Sequence, residues 1–203
     1  MITANNWNKI RYTIYAPVYD SIGRFFSQSR KLSIAQLNIQ ENDKVLLIGC
    51  GTGLDLEFLP SNCFITATDI TPVMVAHTKK RNRKLKINLN AIVMDGQKLS
   101  FPDQYFDKII LHLILAVIPD PVLCIKEAER LLKPGGQIAV FDKFLPKGQK
   151  ISLLRKLINP ISVFLVTNLN RRFEDIISHT GLQTISDANA DFGGIFRIFL
   201  LKK

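Results

Sequence analysis

Between residues 44 and 142, short β-branched apolar runs alternate with amphipathic segments. VLLIG (45–49) leads into a short helix through Leu59, and CFITATD (63–69) into a helix from Pro72. LNAIVMD (89–95) comes next, then FDKIILHLIL (106–115) with the helical PDPVLCIKEAERLLK (119–133), and then GGQIAVFD (135–142). Strands this continuously apolar are buried on both faces, and strand followed by helix, repeated, predicts a parallel sheet covered on both sides. After residue 142 the pattern becomes a long helical stretch, broken at Pro160 and ending near Gly181. Two strand-like runs close the chain, LQTISDA (182–188) and GIFRIFLLK (194–202). The turn-rich NADFGG between them reads as a hairpin connection, so the last strand is expected to run antiparallel. No repeat or linker divides the 203 residues, which suits one domain.

Composition removes several classes. Cys50, Cys63 and Cys124 form no CxxC pair and fall on loop, strand and helix, so neither a disulfide framework nor a metal site is expected, and a reducing, cytoplasmic setting is. The start of the chain lacks an apolar signal core, and the run from Ile109 to Pro119 is interrupted by His112 and too short to span a bilayer. Against 17 acidic residues stand 27 Lys and Arg, a net charge of +10 that calls for an anionic partner: nucleic acid, acidic membrane or acidic substrate.

The chemistry begins in VLLIGCGTGLD, residues 45–55. A strand that ends in glycines and opens into a helix presents backbone N–H groups and the positive end of the helix dipole to a ligand. The dinucleotide fingerprint is GxGxxG, but Gly49, Gly51 and Gly53 have the tighter GxGxG spacing, which lets a smaller ligand approach closely. Asp69 ends the second strand, about 20 residues past the first glycine, where an acid can accept from both ribose hydroxyls. Asp95 ends the third strand, placed to meet a base amino group, with Gly96 and Gln97 beside it. Each feature alone also suits a plain strand–helix turn or a solvated acid; together they sit at successive strand ends.

On these residues the chain resembles the class I S-adenosylmethionine-dependent methyltransferases. The resemblance runs from about Tyr12 to the C-terminus and is carried by GCGTG (49–53), TD (68–69), MDGQKLSFPDQYFD (94–107), LLKPGG (131–136) and GGIFRIFLLKK. It implies an α/β, Rossmann-like, seven-stranded, mostly parallel sheet whose last strand is antiparallel, with helices on both faces. It implies S-adenosyl-L-methionine as cofactor, held by Tyr12, Gly49, Cys50, Gly51, Thr52, Gly53, Asp69, Ile70, Asp95, Gly96, Gln97 and His112. In that scheme Asp69 binds the ribose, Asp95 and Gln97 flank the adenine, and the glycine loop faces the methionine moiety. One position departs: many members carry an acid two residues before the first glycine, where this chain has Leu47.

The acceptor has to be read outside that core. Residues 1–40 are expected to form an N-terminal helical lid, and its YAPVYD resembles the sequence ahead of the glycine loop in phospholipid and quinone methyltransferases. Tyr12, Tyr15 and Tyr19 could line an acceptor site, or pack the helix onto the sheet. Residues 143–180 are expected to form a basic, apolar helical insertion: Lys143, Lys147, Lys150, Arg155, Lys156, Arg171 and Arg172 are interleaved with leucines, isoleucines and phenylalanines. That composition suits either an interfacial element on an anionic membrane or a core-facing helix with a solvated basic side. RYTIYAPVYDSIGRFF, GCGTGLDLEFLP and PDPVLCIKEAERLLKPGG resemble the bacterial phosphatidylethanolamine N-methyltransferases, which implies a lipid or amphiphilic acceptor and a cytoplasmic enzyme peripheral to the inner membrane surface. The alternatives are a soluble small-molecule or quinone methyltransferase, and a non-catalytic S-adenosylmethionine-binding protein. The basic run HTKKRNRKLKIN, with Lys79, Lys80, Arg81, Arg83, Lys84 and Lys86, reads as a solvated face or added membrane attraction rather than a nucleic-acid site. Tyr19 and His112 are the catalytic candidates, His112 as a strand-end group that could position or deprotonate an acceptor. Its alternative is a packed, hydrogen-bonded core histidine. Asp142 could face the acceptor or cap the next helix.

Overall fold

The computed structural model describes residues 4–145, 170–191 and 195–203, and the side chains within them except those of residues 4, 8, 15–19, 21 and 22. Among the described residues seven strands form one sheet: β1 Lys44–Ile48, β2 Phe64–Asp69, β3 Leu89–Val93, β4 Phe106–His112, β5 Leu132–Lys143, β6 Gln183–Asn189 and β7 Phe196–Lys202. Their order is β3-β2-β1-β4-β5-β7-β6. β1 to β5 pair in parallel, and β7 runs antiparallel to both β5 and β6. The expected hairpin and antiparallel last strand are both present.

The period-2 alternation of each strand sorts the core into two layers. Leu46, Ile48, Ile109, Leu111, Ile138 and Val140 pack on one face with α4 (Pro121–Leu131) and α5 (Phe173–Ile177). Val45, Leu47, Ile65, Ala67, Ile110 and Ala139 pack on the other with α2 (Ser27–Ala35) and α3 (Pro72–Leu85). Because both faces are covered, the central strands have no polar side to alternate with, which is why they read as unbroken apolar runs. Leu47 is one of these buried positions, paired in register with Ala67 and Ile110.

Local chemistry sets the helix starts. Pro72 and Pro121 stand in the first turns of α3 and α4, where a missing N–H costs nothing, and Asp120 caps α4 by accepting from Leu123 N at 3.0 Å. The helix expected after β1 is instead a five-residue 3-10 turn, Leu54–Phe58. Gly53, at φ +81°, turns the chain just ahead of it, and Leu59 returns to extended backbone. The N-terminal segment forms α1 (Ala4–Gly23), a 3-10 turn (Arg24–Phe26) and α2. Of the expected insertion, residues 146–169 lie outside the described residues, as does the break at Pro160. The short α5 comes soon after them and leads into β6.

Candidate functional site

The chain crosses from one side of β1 to the other between β3 and β4, which makes the neighbouring pair β1 and β4 the point where the strand order reverses, and open α/β sheets bind ligands at the C-terminal strand ends of such a point. A cleft lies at this point. Its floor comes from Gly49 and Gly51 after β1, Asp69 and Ile70 after β2, and Asp95 and Gly96 after β3. Leu113, Ile114, Val117, Ile118 and Pro119 after β4 form an apolar wall, with Met74 and Met94, and α1 supplies Asn5 and Tyr12.

The glycine loop is held by its own amides. Gly49 N and Cys50 N donate to Thr68 O at 2.8 and 2.9 Å, Gly51 N to Asp69 Oδ2 at 2.9 Å, and Gly53 N to Cys50 O at 2.9 Å. The expectation of free N–H groups in front of a helix dipole therefore gives way: these donors face inward, and a 3-10 turn replaces the helix. What the glycines provide is backbone shape and closeness. Gly49, Gly51 and Gly53 have φ of +72°, +55° and +81°, and a Cβ on Gly49 would lie 2.7 Å from Ile114 Cδ1. Asp69 is half-buried and also accepts from Thr71 N at 2.8 Å; desolvation raises its pKa while the two amides pull the other way.

Two charged groups brace the loop. Arg81 on α3 donates through Nε to Thr52 O at 3.0 Å and pairs with Asp20 and Glu57. Thr52 Oγ1 donates to the same Asp20, so the far end of α1 is tied to the loop. Behind the loop, Arg30 donates to both oxygens of Asp55 at 2.8 Å, His112 Nδ1 lies 2.8 Å from Asp55 Oδ1, and His112 Nε2 lies 2.9 Å from Ser33 Oγ. Burial opposes charge on Asp55, but Arg30 and His112 more than offset it and hold the carboxyl well below the usual carboxylate range.

The structure thus brings Tyr12, Gly49, Gly51, Asp69, Ile70, Asp95 and Gly96 to one cleft and leaves other expected residues off its lining. His112 is the main correction: both ring nitrogens are engaged, its side chain is 1% exposed, and alternation along β4 turns it toward Ser33 of α2. The next residue, Leu113 at φ +57°, leaves the strand and enters the cleft in its place. Cys50 is buried against Thr78, its thiol pKa pushed up by burial. Thr52 and Gly53 brace the loop, and Gln97 braces the Asp95 turn, donating from N and Nε2 to Asp95 and accepting from Asp120 N. The side chain of Tyr19 lies outside the described residues, as does that of Tyr15. Asp142 does not line the cleft, and the segment it could cap lies outside the described residues; it is buried and accepts from Ala116 N at 2.9 Å and Lys143 N at 2.8 Å, and burial raises its pKa to about 6. Arg171 is bound to Leu115 O and Pro119 O, clasping the cleft's apolar wall from behind. Sequence reasoning missed Asn5, which carries no local signal, and the 113–119 wall, which an apolar run past a strand end could have indicated.

Two carboxylates at successive strand ends, a close-approach glycine turn and an apolar wall fit a nucleoside with a charged tail. Fold and cleft together fit a class I S-adenosylmethionine-dependent methyltransferase, an enzyme that takes S-adenosylmethionine as methyl donor. Residues 46–140 match the family described as Methyltransferase domain. The chain is 23% identical over 182 residues to a phosphatidylethanolamine N-methyltransferase of Cereibacter sphaeroides, covering 88% of this chain and 89% of that one. It is 30% identical over 140 residues to a demethylmenaquinone methyltransferase of Staphylococcus epidermidis, covering 65% of this chain and 58% of the relative. Among solved structures, a methyltransferase of Aquifex aeolicus superposes with TM-score 0.60 at 17% identity, over 86% of this chain and 89% of that one. The cyclase SpnF superposes with TM-score 0.72 at 16% identity, over 87% and 80%; at such identities the likeness is one of fold.

Proposed function

We propose that this methyltransferase N-methylates a phospholipid headgroup amine of the phosphatidylethanolamine type at an anionic membrane surface. The observation that carries this reading is the end-to-end likeness to a phosphatidylethanolamine N-methyltransferase, which reaches well outside residues 46–140 and so takes in segments that differ among methyltransferases. The surface of the N-terminal segment supports it. Ile10, Ile14 and Phe25 are 44%, 67% and 82% exposed, with Lys9 and Arg24 exposed among them, while Asn5 and Tyr12 of the same segment border the cleft. Apolar side chains beside cations are what an interfacial element needs.

When bound, S-adenosylmethionine would supply a methyl group on a sulfonium centre: an unprotonated amine would form the new N–C bond in line as the S–C bond breaks, S-adenosylhomocysteine would leave, and the amine would lose one proton to solvent. The chain's part is alignment and exclusion of water. In this reading Asp69 holds the ribose hydroxyls, Asp95 meets the base, Gly49 and Gly51 let the methionine end lie against the backbone, and the 113–119 wall keeps the acceptor side dry. No metal enters the scheme.

Labelled methyl transfer in the presence of liposomes, with and without phosphatidylethanolamine, tests it by separate counting of lipid and aqueous phases. Label in lipid only with that headgroup supports the reading. Bound cofactor without lipid label removes it and favours a second reading, a quinone or soluble small-molecule acceptor, for which the apolar wall and the demethylmenaquinone methyltransferase likeness speak.

A further inference from the structure

Asp95 borders the cleft, and its carboxylate offers four lone-pair positions. Four contacts fill them. Gln97 N donates to Oδ1 at 3.0 Å, Gln97 Nε2 reaches Oδ1 at 3.0 Å and Oδ2 at 3.2 Å, and Asn5 Nδ2 donates to Oδ2 at 2.6 Å. The Gln97 contacts lie within one turn, and that turn is fixed from behind because Gln97 Oε1 accepts from Asp120 N at 2.9 Å. Asn5 is different: it comes from the first turn of α1, 90 residues away in sequence, and it borders the cleft itself. Its Oδ1 accepts from Gln97 Nε2 at 3.4 Å, which orients the amide with its NH₂ on the carboxylate.

A primary carboxamide NH₂ and the exocyclic amino group of a purine are both planar N–H donors, so toward a carboxylate they are interchangeable. We propose that Asn5 is a further cofactor-site residue, a latch that occupies the base-reading carboxylate of Asp95 until the amino group of an adenine-type base takes its place. The inference rests on the assignment of Asp95 to the base end of the cleft. Entry of the base then requires the first turn of α1 to yield, while the Asp20–Arg81–Thr52 cluster keeps the other end of the helix on the glycine loop. Cofactor occupancy and the position of the helix that covers the cleft become linked, and departure of S-adenosylhomocysteine is helped by the return of Asn5.

The chain has one tryptophan, Trp7, two residues from Asn5 on α1, so its emission reports on that turn. S-adenosylhomocysteine is titrated against the full chain while Trp7 emission and binding heat are followed. The latch predicts a saturable emission change in the native protein. It predicts about three- to tenfold tighter binding with a smaller emission change in Asn5→Ala, the strength of one exchanged hydrogen bond. Asn5→Asp, which sets a like charge against Asp95, should tighten binding in the same way. Weaker binding in both variants makes Asn5 a direct ligand contact or a brace and overturns the latch, as do unchanged affinity and unchanged emission. Asp95→Asn separates the two levels: a loss of tenfold or more upholds the base-end assignment, and native-like affinity removes that assignment whatever Asn5 does.

Discussion

Arg30 and Asp55 form an ion pair almost closed to water directly behind the glycine loop, each side chain 5% exposed, with His112 hydrogen-bonded to Asp55. Leu47 occupies the position where related enzymes often place an acid, and its surroundings are apolar. The loop's charged support comes from the other side, two residues past Gly53. Asp55→Ala leaves a buried guanidinium uncompensated and is expected to cost about 3–5 kcal/mol of unfolding free energy, read as a fall in the urea midpoint, with Asp55→Asn costing less. Because the folded pKa of Asp55 is depressed, its stabilisation is present above the unfolded carboxylate range and is lost as pH falls below about 4. Asp142 works in the opposite sense: its folded pKa near 6 exceeds the unfolded value, so its neutral form favours folding at low pH and that contribution disappears as pH rises through 6. Taking the native protein from pH 7.5 to 5 should relieve about 1 kcal/mol at this site. Urea titrations at the two pH values should show that increment missing in Asp142→Asn. Neither network is legible in the sequence, because Arg30 and His112 stand 25 and 57 residues from Asp55, Ala116 stands 26 from Asp142, and only folding brings them together. His112 departs from expectation for a related reason: its position at a strand end is visible in the sequence, but which face it takes depends on the register of β4.

At the scale of elements, α1 is fastened at both ends, by Asn5 to Asp95 and by Asp20 to Arg81 and Thr52. Arg81 also sits within a basic run that reads from composition as solvent-facing, yet its side chain is 15% exposed and directed at the loop. Arg81→Ala should free the far end of α1, weaken S-adenosylhomocysteine binding by about three- to tenfold, and speed limited proteolysis within residues 15–23. Charge-reversed Lys79→Glu, at an exposed position, should leave both unchanged. The glycine loop gives a sharper test. Gly53→Ala puts a Cβ 3.0 Å from Thr78 Oγ1 and 3.2 Å from Thr78 Cα at φ +81°, and should cost about 1–2 kcal/mol of stability with a larger loss of cofactor affinity, measured by calorimetry. Strands and the glycine turn are legible because burial on both faces and positive φ leave marks in residue type. The seating of α1 on the cleft is not, because Asn5 and Asp95 stand 90 residues apart and only folding brings them together, and the expected helix after β1 fails because five residues between Gly53 and Leu59 close only a 3-10 turn.

For the whole molecule, the cations of the described residues are unevenly placed. Lys79, Lys80, Arg83, Lys84 and Lys86 are exposed on and just after α3, whereas Lys9 and Arg24 lie among the exposed apolar residues of the N-terminal segment. A protein that works on a bilayer through that segment combines two forces that salt separates. The electrostatic attraction, about 1 kcal/mol per cation near an anionic surface, is screened over a length of about 10 Å at 0.1 M salt and about 3 Å at 1 M. Insertion of Phe25, 82% exposed, is an apolar transfer of about 1.5–3 kcal/mol that salt does not weaken. Binding to phosphatidylglycerol-containing vesicles should therefore fall steeply between 0.1 and 1 M salt in the native protein and retain a residual component. Phe25→Ser should remove that residual and weaken binding by about tenfold or more at every salt concentration, without altering S-adenosylhomocysteine affinity, since Phe25 does not border the cleft. Neutralising Lys79, Lys80, Arg83 and Lys84 together should flatten the salt dependence and leave the residual intact. A Phe25→Ser protein that binds vesicles like the native one would place the membrane-facing surface elsewhere, and native binding that vanishes completely at 1 M salt would make the association one of charge alone.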